Sequence, residues 1–205
     1  MSKRLWLLLL LAPLLAGCGA GLKEEGRVPI MDPLGLSDGS SLTVVSRGEQ
    51  VSADYTGSFS NTSTEINVGN VSRFIISQRI QSAQVSVPQG ATLPDAVTLN
   101  NFSLSVTFSD NQGTVTFSAS AAGIVTLTRT IGNNYTVTIA DSGQEQCLVV
   151  TLETGNLSTL AQIVTQGGGN RVNFTLTANV ADGSGLPDGT QIIFTVGTGT
   201  GTLEL

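Results

Sequence analysis

Residues 102–139 read FSLSVTFSDNQGTVTFSASAAGIVTLTRTIGNNYTVTI, and their pattern decides the fold class. Phe102, Leu104, Val106 and Phe108 alternate with Ser103, Ser105 and Thr107. Val115 and Phe117, Val125 and Leu127, and Tyr135, Val137 and Ile139 repeat the alternation. A period of two is that of a strand with one buried face, and β-branched Thr suits the solvated side of a pleat. Between and after the runs lie Asp110-Asn111-Gln112-Gly113, Ala121-Ala122-Gly123, Gly132-Asn133-Asn134 and Asp141-Ser142-Gly143, read here as turns. Runs and turns recurring every roughly 8–12 residues predict an antiparallel meander or Greek-key sheet.

Working outward, strands are expected over 42–46, 50–59, 71–80, 84–87, 172–180 and 190–196. Leu157, Leu160, Ile163 and Val164 have helical spacing and predict one short helix over 156–165. Gly167-Gly168-Gly169 is followed by neither Lys-Ser nor Lys-Thr, so it is a connecting turn and no phosphate loop. The expected architecture is all-β, an antiparallel β-sandwich over residues 42–205.

Composition narrows the function. The chain has 205 residues, 12% charged and 40% hydrophobic, too apolar for a disordered chain and long enough to bury a core. Fifteen acidic residues against nine basic ones argue against a nucleic-acid partner. Histidine is absent, which removes Ser-His and Cys-His nucleophile pairs and every His-containing metal site. No carboxylate pair is placed by sequence for acid–base work, so no catalytic residue, enzymatic activity or cofactor is expected.

The N-terminus carries an address. Lys3 and Arg4 precede an apolar run, Leu5 to Leu15, made of Leu with Trp6, Ala12 and Pro13, and then Leu15-Ala16-Gly17-Cys18. The run is far shorter than the roughly 20 residues a membrane-spanning helix needs and fits a secretory signal. Small residues ahead of a cysteine resemble the bacterial lipoprotein signal. That resemblance implies cleavage between Gly17 and Cys18, a diacylglycerol thioether on Cys18 and acylation of the new amino group. Residues 1–17 are then the signal peptide and 18–41 a lipidated tether, its second half partly docked on the domain through Val28, Ile30, Met31, Leu34 and Leu36. Gly19 after the cysteine resembles cargo sorted to the outer membrane of diderm bacteria, placing the protein at that membrane or the cell surface, with the membrane as partner through the anchor. Cleavage takes Lys3 and Arg4 from the nine basic residues and leaves seven against 15 acidic ones.

The stretch 172–196, with Asp182-Gly-Ser-Gly185-Leu-Pro187 between two alternating runs, resembles bacterial immunoglobulin-like modules of the invasin and intimin type. It makes 170–205 an immunoglobulin-like segment. Such modules continue for several more strands. Those strands are expected from 42–153 in one larger sandwich, or else from a partner chain.

Two further features are weighed as sites. Asp182 and Asp188 sit six apart on one loop and are the candidates for a calcium ion, but without an Asp-x-Asp-x-Asp ladder the reading is turn-capping and no metal. Cys147, within Gln146-Cys147-Leu148-Val149-Val150, is read as a buried small hydrophobe with no disulfide partner once Cys18 is lipidated. Arg129 falls in phase with Val125 and Leu127, either as the strand's solvated end or paired with an acid.

The leading functional expectation is a structural, scaffolding or adhesive envelope protein meeting an envelope or surface protein through a sheet edge. The alternative is a carrier holding an apolar ligand in a β half-barrel. For that alternative Phe102, Phe108, Phe117 and Tyr135 would line a cavity above roughly 300 Å³ instead of filling a core.

Overall fold

The computed structural model describes residues 26–61, 68–153, 155–166 and 168–205. It is all-β and antiparallel, with strands β1 (Arg27–Met31), β2 (Ser41–Arg47), β3 (Gln50–Ser58), β4 (Arg73–Ser86), β5 (Ala96–Ser109), β6 (Thr114–Ala122), β7 (Ile124–Arg129), β8 (Asn134–Ala140), β9 (Cys147–Leu152), β10 (Arg171–Val180) and β11 (Gln191–Glu204), and one helix, α1 (Leu157–Gln166).

Several strands are halves of one. β6 and β7 both pair antiparallel with β5, Phe102 opposite Ala121 and Leu99 opposite Val125, so the chain runs on through Gly123 without reversing. Gly123 has φ +135 and Asn101, on the facing strand, φ +51, which marks the irregularity as a bulge. β9 and β8 likewise share one edge of β4, with residues 141–146 looping out between them. β1 and β2 share one edge of β11 across residues 32–40. The Ala121-Gly123 and Asp141-Gly143 turns of the sequence reading are therefore a bulge and an excursion, because Gly and Asp permit left-handed backbone without requiring the chain to turn back.

Counting the halves together, the strands close into a ring of eight, β1/β2–β3–β10–β5–β6/β7–β8/β9–β4–β11 and back to β1/β2. That order is a double Greek key, the jelly-roll connection. The all-β, antiparallel expectation holds, and its sandwich is corrected to a closed barrel: β11 pairs with β4 along most of its length, from Gln191 opposite Ser86 to Glu204 opposite Arg73, and this pairing closes the ring.

The same topology separates the two strands of residues 170–205, the stretch expected to be immunoglobulin-like. β10 lies between β3 and β5, and β11 lies between β4 and β1/β2, so the strands beside both come from the chain itself. Folded chain begins earlier than Leu42. Val28 and Ile30 of β1 face inward and Pro29 lies opposite Thr202, so the docked half of the tether starts as a regular strand.

The alternation seen in the sequence is the alternation observed. Leu104, Val106 and Phe108 are buried, and Ser103 and Ser105 are exposed. Phe59, Phe74 and Phe117 surround Phe108 edge-on, with ring centroids 5.8, 6.1 and 6.5 Å away. α1 buries Leu157, Leu160, Ala161, Ile163 and Val164 and packs on β5, β6 and the turn at Val68–Asn70. Asn156 caps it: its Oδ1 accepts from Thr159 N at 3.1 Å. Arg129 meets both expectations: it sits at the strand's solvated end, donating to Gly132 O at 2.9 Å, and it pairs with an acid, Asp95, at 3.9 Å. Its cross-strand neighbour Tyr135 donates to Pro94 O, and burial raises its phenol above the ordinary value.

Candidate functional site

The barrel interior holds a cavity of about 50 Å³ whose wall is almost wholly apolar. Leu99, Phe102 and Leu104 of β5, Phe174 and Leu176 of β10, Leu148 and Val150 of β9, Ile76 and Ile80 of β4, and Phe194 and Val196 of β11 converge on it. On β5 and β10 each of these alternates with polar residues on the opposite face of the pleat, whereas Leu148, Val150, Ile76 and Phe194 also have apolar neighbours in sequence. Of the four aromatic residues weighed from sequence, Phe102 lines the cavity and Phe108, Phe117 and Tyr135 are packed in the core away from it, so the expected carrier cavity above roughly 300 Å³ lined by all four is corrected to a small void in a packed core.

Besides Thr177, one polar side chain stands in the wall, that of Gln78. Its Nε2 donates to Gly197 O at 2.7 Å and Arg79 O at 3.3 Å. Its Oε1 is buried with no hydrogen-bond partner and lies over Gly199, where a Cβ would collide with it. Gly197 and Gly199 belong to a stretch where the β11–β4 register slips, so the amide fills the place that the slipped ladder leaves.

Leu34 and Leu36 close one side of the cavity. They come from residues 32–40, the strap between β1 and β2, and both are buried. The strap fills a weak seam of the ring. β3 pairs with β2 only over Gln50–Ser52, and among the described pairings β1 has no partner except β11. Gly35 presses on β3 with φ +67, where a Cβ would sit 2.7 Å from Ser58 O. No sequence signal identified this lining, since it draws on both sheets and on a segment read as tether.

The outer face of β3, β10 and β5 carries an open hollow lined by Asp54, Thr56, Ser105, Thr107, Asn173 and Thr175. Several of its polar groups satisfy one another: Thr175 Oγ1 donates to Asp54 Oδ1 at 2.6 Å, and Thr107 and Thr116 share a hydrogen bond of 2.8 Å.

Gly17 and Cys18 lie outside the described residues. Asp188 accepts from Gly48 N at 2.5 Å and so caps the β2–β3 turn, whereas Asp182 lines a separate open hollow with Glu49, Gln50 and Asn100. Ser184 Oγ accepts from Thr98 N. Among the described residues no three metal-ligating side chains are grouped. Cys147 is buried, as read from its neighbours, and its Sγ lies 3.1 Å from Glu145 O. No described helix is long and apolar enough to cross a membrane.

Comparison with known proteins adds little to this geometry. No protein-family model matches the chain, and no curated protein matches it. Among solved structures, the chain is similar to the CBM2 module of the evolved Dit protein of Lactobacillus casei BL23 phage J-1, at 8% identity and a TM-score of 0.25, covering 90% of this chain and 93% of that one. A likeness of that degree fixes neither ligand nor function.

Proposed function

We propose that the chain is a non-enzymatic, lipid-anchored envelope protein that binds a small apolar molecule inside its closed barrel. The observation that carries this reading is the cavity inside the ring, with a wall of aliphatic and aromatic side chains drawn from all around it. Apolar voids of this kind stay dry and take apolar guests. At about 50 Å³ the cavity lies well below the roughly 300–1,000 Å³ of drug-sized ligand sites. As it stands it accepts a guest of only a few heavy atoms.

Adhesion through a sheet edge has less support. Closure of the ring consumes most edges, and β1, at the seam, carries Pro29, which has no N–H to donate to an added strand. The signal-like N-terminus supports an anchor at Cys18 and an outer-membrane or surface location.

Native mass spectrometry of the protein purified from its own envelope tests the binding function. An adduct that disappears after organic extraction and returns on adding the extract is the expected result. A protein that carries no adduct and regains none would contradict it.

A further inference from the structure

We propose that the strap, residues 32–40, is a plug that swings out of the barrel wall to admit a larger hydrocarbon chain. Leu34 and Leu36 occupy, in the closed state, the space such a chain would take. The inference rests on the binding function proposed above and names how that site is gated and what it takes.

Four observations place the gate at the strap. Leu34 and Leu36 are the strap's contribution to the cavity wall, and every other wall residue outside the strap belongs to a strand. The strap's ends are pinned to β11 by four hydrogen bonds of 2.9 Å: Asp32 N to Gly199 O, Gly199 N to Asp32 Oδ1, Gly39 N to Val196 O and Val196 N to Ser40 O. Each end also has a left-handed residue, Asp32 at φ +44 and Gly39 at φ +78, which lets the chain turn sharply there. Between those ends the described hydrogen bonds to the barrel are few and local, Tyr55 Oη to Gly35 O and Gln81 Nε2 to Asp38 Oδ1.

Size argues for the ligand class. A leucine-sized void is on the order of 150 Å³, so withdrawing both leucines brings the space to the lower end of the range of ligand pockets. With Gln78 already bonded to backbone through its amide nitrogen, the enlarged space has no charged group to meet a head group. An unbranched or branched hydrocarbon tail suits it, with any polar head left at the seam between β1 and β3.

The test is a fluorescence titration with N-phenyl-1-naphthylamine, a neutral apolar probe, on the full mature chain and on two variants. Leu34→Ala/Leu36→Ala removes the plug's side chains. Tyr55→Phe keeps the ring but frees the Gly35 carbonyl, raising the fraction of open barrel and so the apparent affinity. The double variant is expected to bind at least about tenfold tighter than the unaltered chain, and Tyr55→Phe about three- to tenfold tighter. If the unaltered chain binds and neither variant binds tighter, the strap is not the gate and the binding function stands. If none of the three binds although each unfolds cooperatively, both ideas fall. Should the double variant fail to fold, Tyr55→Phe decides alone.

Discussion

The phenol hydroxyl of Tyr55 on β3 donates to the carbonyl oxygen of Gly35 at 2.9 Å, across the seam where β3 and β1 do not pair. Tyr55 is itself held by Phe174, ring centroids 5.2 Å apart, and Phe174 lines the cavity. The bond therefore connects the strap, the sheet and the cavity wall in one chain of contacts. It also explains why the position opposite Tyr55 is glycine: the strap backbone lies too close to Ser58 for a side chain.

Gly35→Ala is expected to destabilise the fold by about 1–3 kcal/mol, since it adds a clash and puts alanine at a left-handed φ. Urea unfolding would read this as a lower midpoint with an unchanged slope. An unaltered midpoint would mean that the strap is not held as described.

Asn156→Ala is expected to cost about 1 kcal/mol through loss of the cap on α1. Asn156 Oδ1 accepts from both Thr159 N and Ser158 Oγ, and alanine replaces neither bond. Asn156→Asp keeps an acceptor beside the helix N-terminus and should restore most of the loss in the same unfolding experiment.

Glu204, near the end of β11, bonds Arg73 and lies 3.0 Å from Arg27. The Arg73 hydrogen bond, above all, holds its carboxyl below the ordinary value of 4.5. The folded state thus binds this proton less readily than the unfolded chain. Its contribution to stability is complete above the ordinary carboxylate range and is lost as pH falls through the lowered folded value. Thermal unfolding between neutral pH and pH 3 should show a shallower acid decline for Glu204→Gln. Parallel declines would show that the ion pair adds nothing.

Cys18 cannot carry a diacylglyceryl thioether and a disulfide at the same time, because both use one sulfur. The chain has two cysteines, Cys18 and Cys147, and the anchor proposed above requires that Cys18 carry lipid and not a bridge. Mass spectrometry of a non-reduced digest of the mature protein separates the outcomes. A lipid-modified peptide beginning at Cys18 is expected; a peptide holding an unlipidated Cys18 would remove the anchor.

Much of the barrel was legible in the sequence, for physical reasons that differ between elements. β5 and β8 show their alternation because one face meets the core and the other meets water. α1 shows its cap and its spacing together. β1 was hidden because Pro29, Pro33 and several glycines resemble a linker, whereas Pro29 occupies an unpaired edge where its missing N–H costs nothing. Gly123 was read as a turn because a glycine bulge and a glycine turn have the same local chemistry; only the facing Asn101 distinguishes them. β4 runs unbroken from Arg73 to Ser86, though Gln78, Arg79 and Gln81 interrupt its apolar pattern in the sequence. Closure of the ring and the cavity itself depend on pairings far apart in the chain, which no local pattern encodes.

The measurement that bears most directly on the barrel as a binding site is a methyl NMR titration. Protein labelled at Ile, Leu, Val and Met methyls would be titrated with the apolar extract of its own envelope. Shifts confined to Leu36, Leu104, Leu148, Val150 and Val196, the cavity wall, are the expected result. Shifts only at exposed Met31, Ile131 and Leu205, or none at all, would contradict an internal ligand.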